Sequence, residues 1–292
     1  MSTFLLMNIG ILIPALVIMV VFLAFFLTPG WSSLDFFPRG KLNNRKNLVI
    51  RDEIYIKDID LIQALKFKPD EGANMRAKIK GNLVFENCIF YGFKAFSEQK
   101  EQAYIIEFKG DLIFKNCIFQ DEVDLSQTTV TGNFNMTSCE FSDRVIFKNA
   151  KFRGESSIIS DCVFLNDVLF HNSRFDGTTL MEKNDFNLQC VFHSATFQKP
   201  TVLKDSVFYG YSEFENASFR SKLDMINLQF KGRTHFKNMK GKEPATLSKV
   251  RFARKCDLSL AGENIFSDLS DVDFEAGYFV PNGYQTNEQL IL

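Results

Sequence analysis

His171 and His193 each stand directly after a phenylalanine. If the chain repeats at their separation, the two imidazoles are neighbours, and paired imidazoles are good donors for a divalent metal. The flanking members of their row are Lys148 and Glu215, and no carboxylate or cysteine is expected to face the pair within it. A surface pair without metal is therefore expected. The six cysteines, Cys88, Cys117, Cys139, Cys162, Cys190 and Cys256, form no C-x-x-C pair, which argues against structural zinc. Each precedes a large apolar residue by two positions, from Phe90 to Leu258, and so reads as a small buried hydrophobe. Unpaired buried thiols fit a reducing compartment. Acidic residues form no stack at the repeat spacing, so catalysis, a cofactor and a small-molecule substrate are not expected.

Two outward surfaces remain for binding. Lys151, Arg153, Arg174, Arg220, Lys240 and Lys242 flank one column of the repeat. They form a solvated face or a dock for anionic headgroups or an acidic partner. Ile146, Val163, Leu165, Leu169, Leu180, Val191, Val202, Val207 and Tyr209 fall at outward positions, and Ile146, Leu169 and Val191 should stack directly. Adjacent exposed apolar residues suggest a protein partner or a homodimer surface. The charge balance (34 Lys and Arg against 35 Asp and Glu) argues against a dedicated nucleic-acid binder.

The element that would position these residues is a repeat. Phenylalanine makes up 33 of 292 residues, and large apolar residues recur with alternating gaps of five and six. Neither a helix, with its period of 3.6, nor a flat strand, with its period of two, gives that pattern. The series sorts into four columns with a period of 22. Column one is Leu125, Phe147, Phe170, Phe192, Phe214, Phe236 and Leu258. Column two is Val130, Phe152, Phe175, Phe197, Phe219 and then Gly241. Column three avoids Phe, with Met136, Ile158, Met181, Leu203, Met225, Leu247 and Leu269. Column four runs from Phe119 to Phe274. One extra residue is expected between Ile158 and Phe164. Because columns one and three differ in residue type, 22 is favoured over 11.

A 22-residue unit with four inward residues is one coil of a four-sided parallel β-helix. The residue two before each large one also points inward and must be small, as at Cys139, Ala150, Ser156, Cys162 and Ala195. Leu223 and Leu228 break that rule and suggest a looser C-terminal end. After column one the chain reads F-x-N at Asn149, Asn172, Asn216 and Asn238, with Ser194 once. Asn tolerates turn geometry and can form stacked amide ladders. Gly154 and Gly177 mark the next corner, where a positive φ is expected.

The segments FKNAKFRG (147–154), FHNSRFDG (170–177) and FENASFR (214–220) resemble the pentapeptide-repeat family, and within it the Phe-rich branch with alternating five- and six-residue steps. The resemblance covers roughly residues 81–275. It implies a right-handed quadrilateral parallel β-helix. It implies no single activity, since the family includes DNA mimics that protect topoisomerases, and this chain lacks their net acidic surface.

Outside the repeat, residues 1–34 carry no charged side chain, and Phe4–Leu27 is long enough to cross a bilayer as a helix. The first basic residues, Arg39, Lys41, Arg45 and Lys46, follow it, which places the C-terminal bulk in the cytoplasm. The expected organisation is a transmembrane anchor (1–30), a juxtamembrane linker (31–46), an N-terminal cap (47–80), the all-β helix (81–275) and a C-terminal cap or tail (276–292). About nine coils are expected, with residues 97–102 as an inserted loop. The expected role is a membrane-anchored, non-catalytic scaffold. The alternatives are a membrane-tethered inhibitor or protective protein acting on a target enzyme, and an extracellular carbohydrate-active β-helix enzyme.

Overall fold

The computed structural model describes residues 47–55, 59–69, 74–99, 101–259, 261, 265–276 and 278–279. The predicted anchor and linker lie outside the described residues, as does most of the 276–292 tail. No helix among the described residues is long and apolar enough to cross a membrane.

The described chain is an all-β parallel solenoid. Its short strands form four parallel sheets, one of nine strands and three of ten, and successive coils add a strand to each. Each sheet is a face, numbered here by the column it carries. Face three pairs Leu112–Lys115 with Phe134–Thr137, then Ser156–Ser160, Thr178–Glu182, Thr201–Lys204, Leu223–Ile226 and Thr246–Ser248. About seven turns follow Leu112 on this regular spacing. Two longer turns precede them: Leu48 pairs with Leu83, and Leu83 with Leu112. The segment expected as a cap therefore supplies strands to all four faces and forms the first coil. A short helix, Leu61–Ala64, interrupts that coil and buries Leu61 and Ile62 in the core. The expected loop at 97–102 belongs to an antiparallel hairpin, Phe96–Gln99 against Gln102–Phe108.

The inward columns of phenylalanine are stacked rings. On column four, phenylalanines from Phe90 to Phe274 lie nearly parallel with centroids 4.6–5.2 Å apart. Columns one and two repeat this between Phe147 and Phe236 and between Phe152 and Phe219. The strand spacing of about 4.8 Å is also a good separation for offset aromatic stacking, so one backbone repeat satisfies both hydrogen bonds and rings. All six cysteines are free and buried, as the sequence suggests.

Three expectations are corrected. Ile159, not Ile158, fills column three: it pairs with Met136 and Met181 and is buried, while Ile158 faces outward. The extra residue therefore sits before Ile159, at the corner 153–156, and Ser157 rather than Ser156 fills the small inward slot. The backbone N–H of Ser156 is satisfied there by Asn133 Oδ1 at 3.1 Å. Next, Leu223 and Leu228 are fully packed, so no loosening begins at them. Finally, Gly154 and Gly177 do not have positive φ. They are needed for close approach: a Cβ on Gly154 would overlap the carbonyl oxygen of Gly132, and one on Gly177 that of Gly154.

Positive φ is found instead at the F-x-N corner, at Asn149, Asn172, Ser194, Asn216 and Asn238, all between 54° and 58°. A second such line runs through Asn116, Ser138, Asp161, Lys183, Asp205, Asn227 and Lys249 at the opposite corner. The left-handed residues thus recur every 11 positions from Asn116 to Lys249, with one step of 12 between Asn149 and Asp161. The left-handed positions repeat at half a coil, whereas the side chains repeat at a whole one. The amide ladder is seen where Asn238 Nδ2 donates to Asn216 Oδ1.

Candidate functional site

With the core filled by side chains, chemistry is left to the outward residues of the four faces. On face three the outward positions form one register line: Val49, Val84, Ile113, Asn135, Ile158, Leu180, Val202 and then Asp224. Six of the first seven are aliphatic. Val49, at the end, is 44% exposed, and the others are half-buried. Asn135 alone interrupts them, and its Oδ1 has no hydrogen-bond partner. β-Branched residues suit a strand, and the outward line of them along successive coils makes an apolar ridge.

Two of the expected apolar residues, Leu180 and Val202, lie on this ridge. The others are dispersed. Ile146, Leu169 and Val191 do stack, on face one, but Val191 is buried and presents no surface. Val163 and Val207 lie on face four with Asp185 between them. Leu165 and Tyr209 are exposed at the corner that follows. Lys231 caps the Tyr209 ring 4.3 Å from its centroid. The nine residues therefore do not form one patch. Val84, Ile113 and Ile158 escaped sequence reasoning, the last because the extra residue was placed on the wrong side of it.

The six basic residues do share face two and its corner, and all are exposed. They form two groups: Lys151, Arg153 and Arg174 in the middle coils, and Arg220, Lys240 and Lys242 further along. Thr196 and Ser218 separate Arg174 from Lys240 on the strand register. Arg174 is partly neutralised by Asp176 at 2.6 Å.

Face one and the corner after it carry the histidines. His171 and His193 are neighbours, with ring centroids 6.1 Å apart. Contrary to expectation, carboxylates do reach the pair. Glu213 lies one coil on, at the register position of Val191, and its Oε1 is 2.7 Å from His193 Nδ1. Tyr211 donates its hydroxyl to the other Glu213 oxygen at 3.0 Å. Burial, then the Glu213 charge, push the Tyr211 phenol up to about 12, so it remains a donor. Burial pushes the His171 imidazole below its ordinary value. The row argument missed Glu213 because it followed only residues one full period apart and not the outward neighbour two positions away on the same strand.

Four parallel sheets, a regular coil and stacked phenylalanines frame the comparison with known proteins. Residues 114–158 match a family model described as Pentapeptide repeats (9 copies). This segment is a run of pentapeptide repeats. No curated protein and no solved structure matches the chain. A pentapeptide-repeat β-helix fits a structural or interaction scaffold, since its core holds side chains and its flat faces hold the variation.

Proposed function

We propose that this chain is a non-catalytic interaction scaffold. In this reading the apolar N-terminal segment anchors it as a single pass in a membrane, and the β-helix faces the cytoplasm. The observation that carries it is the ridge on face three, where Val84, Ile113, Ile158, Leu180 and Val202 line up along the coils. A flat parallel sheet is rigid, so a partner meets a preformed apolar surface and little conformational entropy is lost on binding. The occupant this reading favours is an apolar face of a protein partner.

A photo-crosslinking residue at Leu180, with the same residue at Thr196 on face two as control, tests the ridge in native membranes. Discrete protein adducts from position 180 and none from 196 are expected. Absence of adducts at 180, or equal yields at both, overturns the reading. Topology is tested by Glu98→Cys on the exposed hairpin. The six native thiols are buried, so no cysteine-free background is needed. Labelling by an impermeant maleimide only after permeabilisation is expected; labelling in intact cells puts the β-helix outside.

A further inference from the structure

All three histidines of the chain, His171, His193 and His235, lie on face one or at its corner, although the coils offer many outward positions on four faces. Around His193 the donors converge. Ligand atoms of His193, Glu213 and Glu215 all lie within 4.8 Å of one another, and His171 neighbours His193 from the preceding coil. We propose that His193, Glu213 and Glu215 form a binding site for a borderline divalent metal ion of the zinc class. The bonds to be made are coordinate ones: an imidazole nitrogen and two carboxylate oxygens donate to the ion, and solvent or a partner side chain completes its sphere.

Three features support this beyond proximity. First, the donors sit on adjacent coils whose backbones are fixed by the ladder. Phe192 N–H donates to Glu213 O at 2.7 Å and Ser194 N–H to Glu215 O at 2.9 Å. A site on such a frame is preorganised and loses little freedom when the ion binds. Second, Glu213 already has an outer partner in Tyr211, the arrangement by which metal-binding carboxylates are oriented. Third, the mixed imidazole and carboxylate set suits zinc, cobalt or nickel rather than calcium or magnesium, which prefer oxygen alone. Lys237 competes: its ammonium is 3.9 Å from Glu215 and must yield when the ion binds. Without metal, the His193–Glu213 contact is an ordinary half-exposed one, an ion pair only when the imidazole is protonated, and that is the rival explanation.

Titration calorimetry of the full chain, free of any histidine tag, with ZnCl2 separates the two. One ion per chain at micromolar affinity is expected. Glu213→Gln, an isosteric change at a half-buried site, should weaken binding at least tenfold. His193→Ala should weaken it more, and Tyr211→Phe by about tenfold through loss of the orienting hydrogen bond. Glu182→Gln, which faces Lys204 on face three, should leave it unchanged. Circular dichroism confirms that each variant is folded. No heat with the folded wild type, or affinity unchanged in both His193→Ala and Glu213→Gln, overturns the site and leaves the ion pair as the full account. Either result leaves the scaffold reading intact, since that rests on face three.

Discussion

Cys190 turns the buried thiols into a measurable property. Its side chain points inward on face one, fully buried, and burial holds the thiol well above its usual range. In an unfolded chain a thiol ionises near pH 8.5. Below that pH both states keep the proton and stability does not depend on it. Above it, the unfolded state binds fewer protons than the native one, so stability falls by about 1.4 kcal/mol per pH unit for this one group. Cys190→Ala removes a buried group of roughly methylene size, costing about 0.5–1.5 kcal/mol at pH 7. It also removes the alkaline loss. The two curves of stability against pH should therefore converge above pH 8.5 and cross within about one unit. By pH 10.5 the variant should be the more stable by about 1–2 kcal/mol. Guanidinium unfolding followed by circular dichroism at stepped pH gives both curves. A gap that stays constant from pH 7 to 10.5 would refute the reasoning, because it would mean the native thiol ionises as freely as the unfolded one.

Further perturbations probe the stack itself. Phe170 is parallel to Phe147 and Phe192, each 4.7 Å away. Phe170→Leu forfeits both ring pairs and should cost about 1–3 kcal/mol, whereas Phe219→Leu at the end of the column-two stack, beside Phe197, should cost about half as much by the same guanidinium assay. Gly154→Ala must push the new Cβ against the Gly132 carbonyl, so thermal unfolding should drop by many degrees or the chain should fail to fold. At Asn149, where φ is 58°, substitution by Gly should be nearly neutral, while the β-branched Asn149→Val should lose at least about 1 kcal/mol; equal effects would count against left-handed geometry as the reason for Asn there.

The columns of Phe, and the lack of Phe in column three after Phe85 and Phe114, made the coil legible in the sequence, because so long a period has few physical realisations. What stayed hidden had local causes. Ile158 and Ile159 are the same residue type side by side, so no hydrophobic pattern could tell which one turns inward; only the pairing with Met136 and Met181 does. The first coil was disguised because the step from Leu48 to Leu83 is far longer than the period. Asn184 was equally unreadable: it occupies the inward slot that Cys162 fills one coil before, and is buried because its amide donates to Ile159 O at 2.8 Å and accepts from Cys162 N–H at 3.0 Å. Glu213 was missed because contact across coils runs diagonally as well as straight.

The half-coil repeat of the left-handed corners poses a danger of misthreading. A chain that wound with a slip of half a coil would place every left-handed corner on another left-handed corner. The two corners are not interchangeable in the main chain, since the F-x-N corner closes its own turn, as from Ala150 N–H to Phe147 O, whereas the strand on face three runs on to pair Thr137 with Ser160. The slip would also set Met136, Met181 and Met225 against the rings of column one, whereas columns two and four, both of phenylalanine, would still stack. The difference between the aliphatic residues and methionines of column three and the rings of column one is thus a side-chain mark of correct winding, and replacing those methionines with phenylalanine would weaken it.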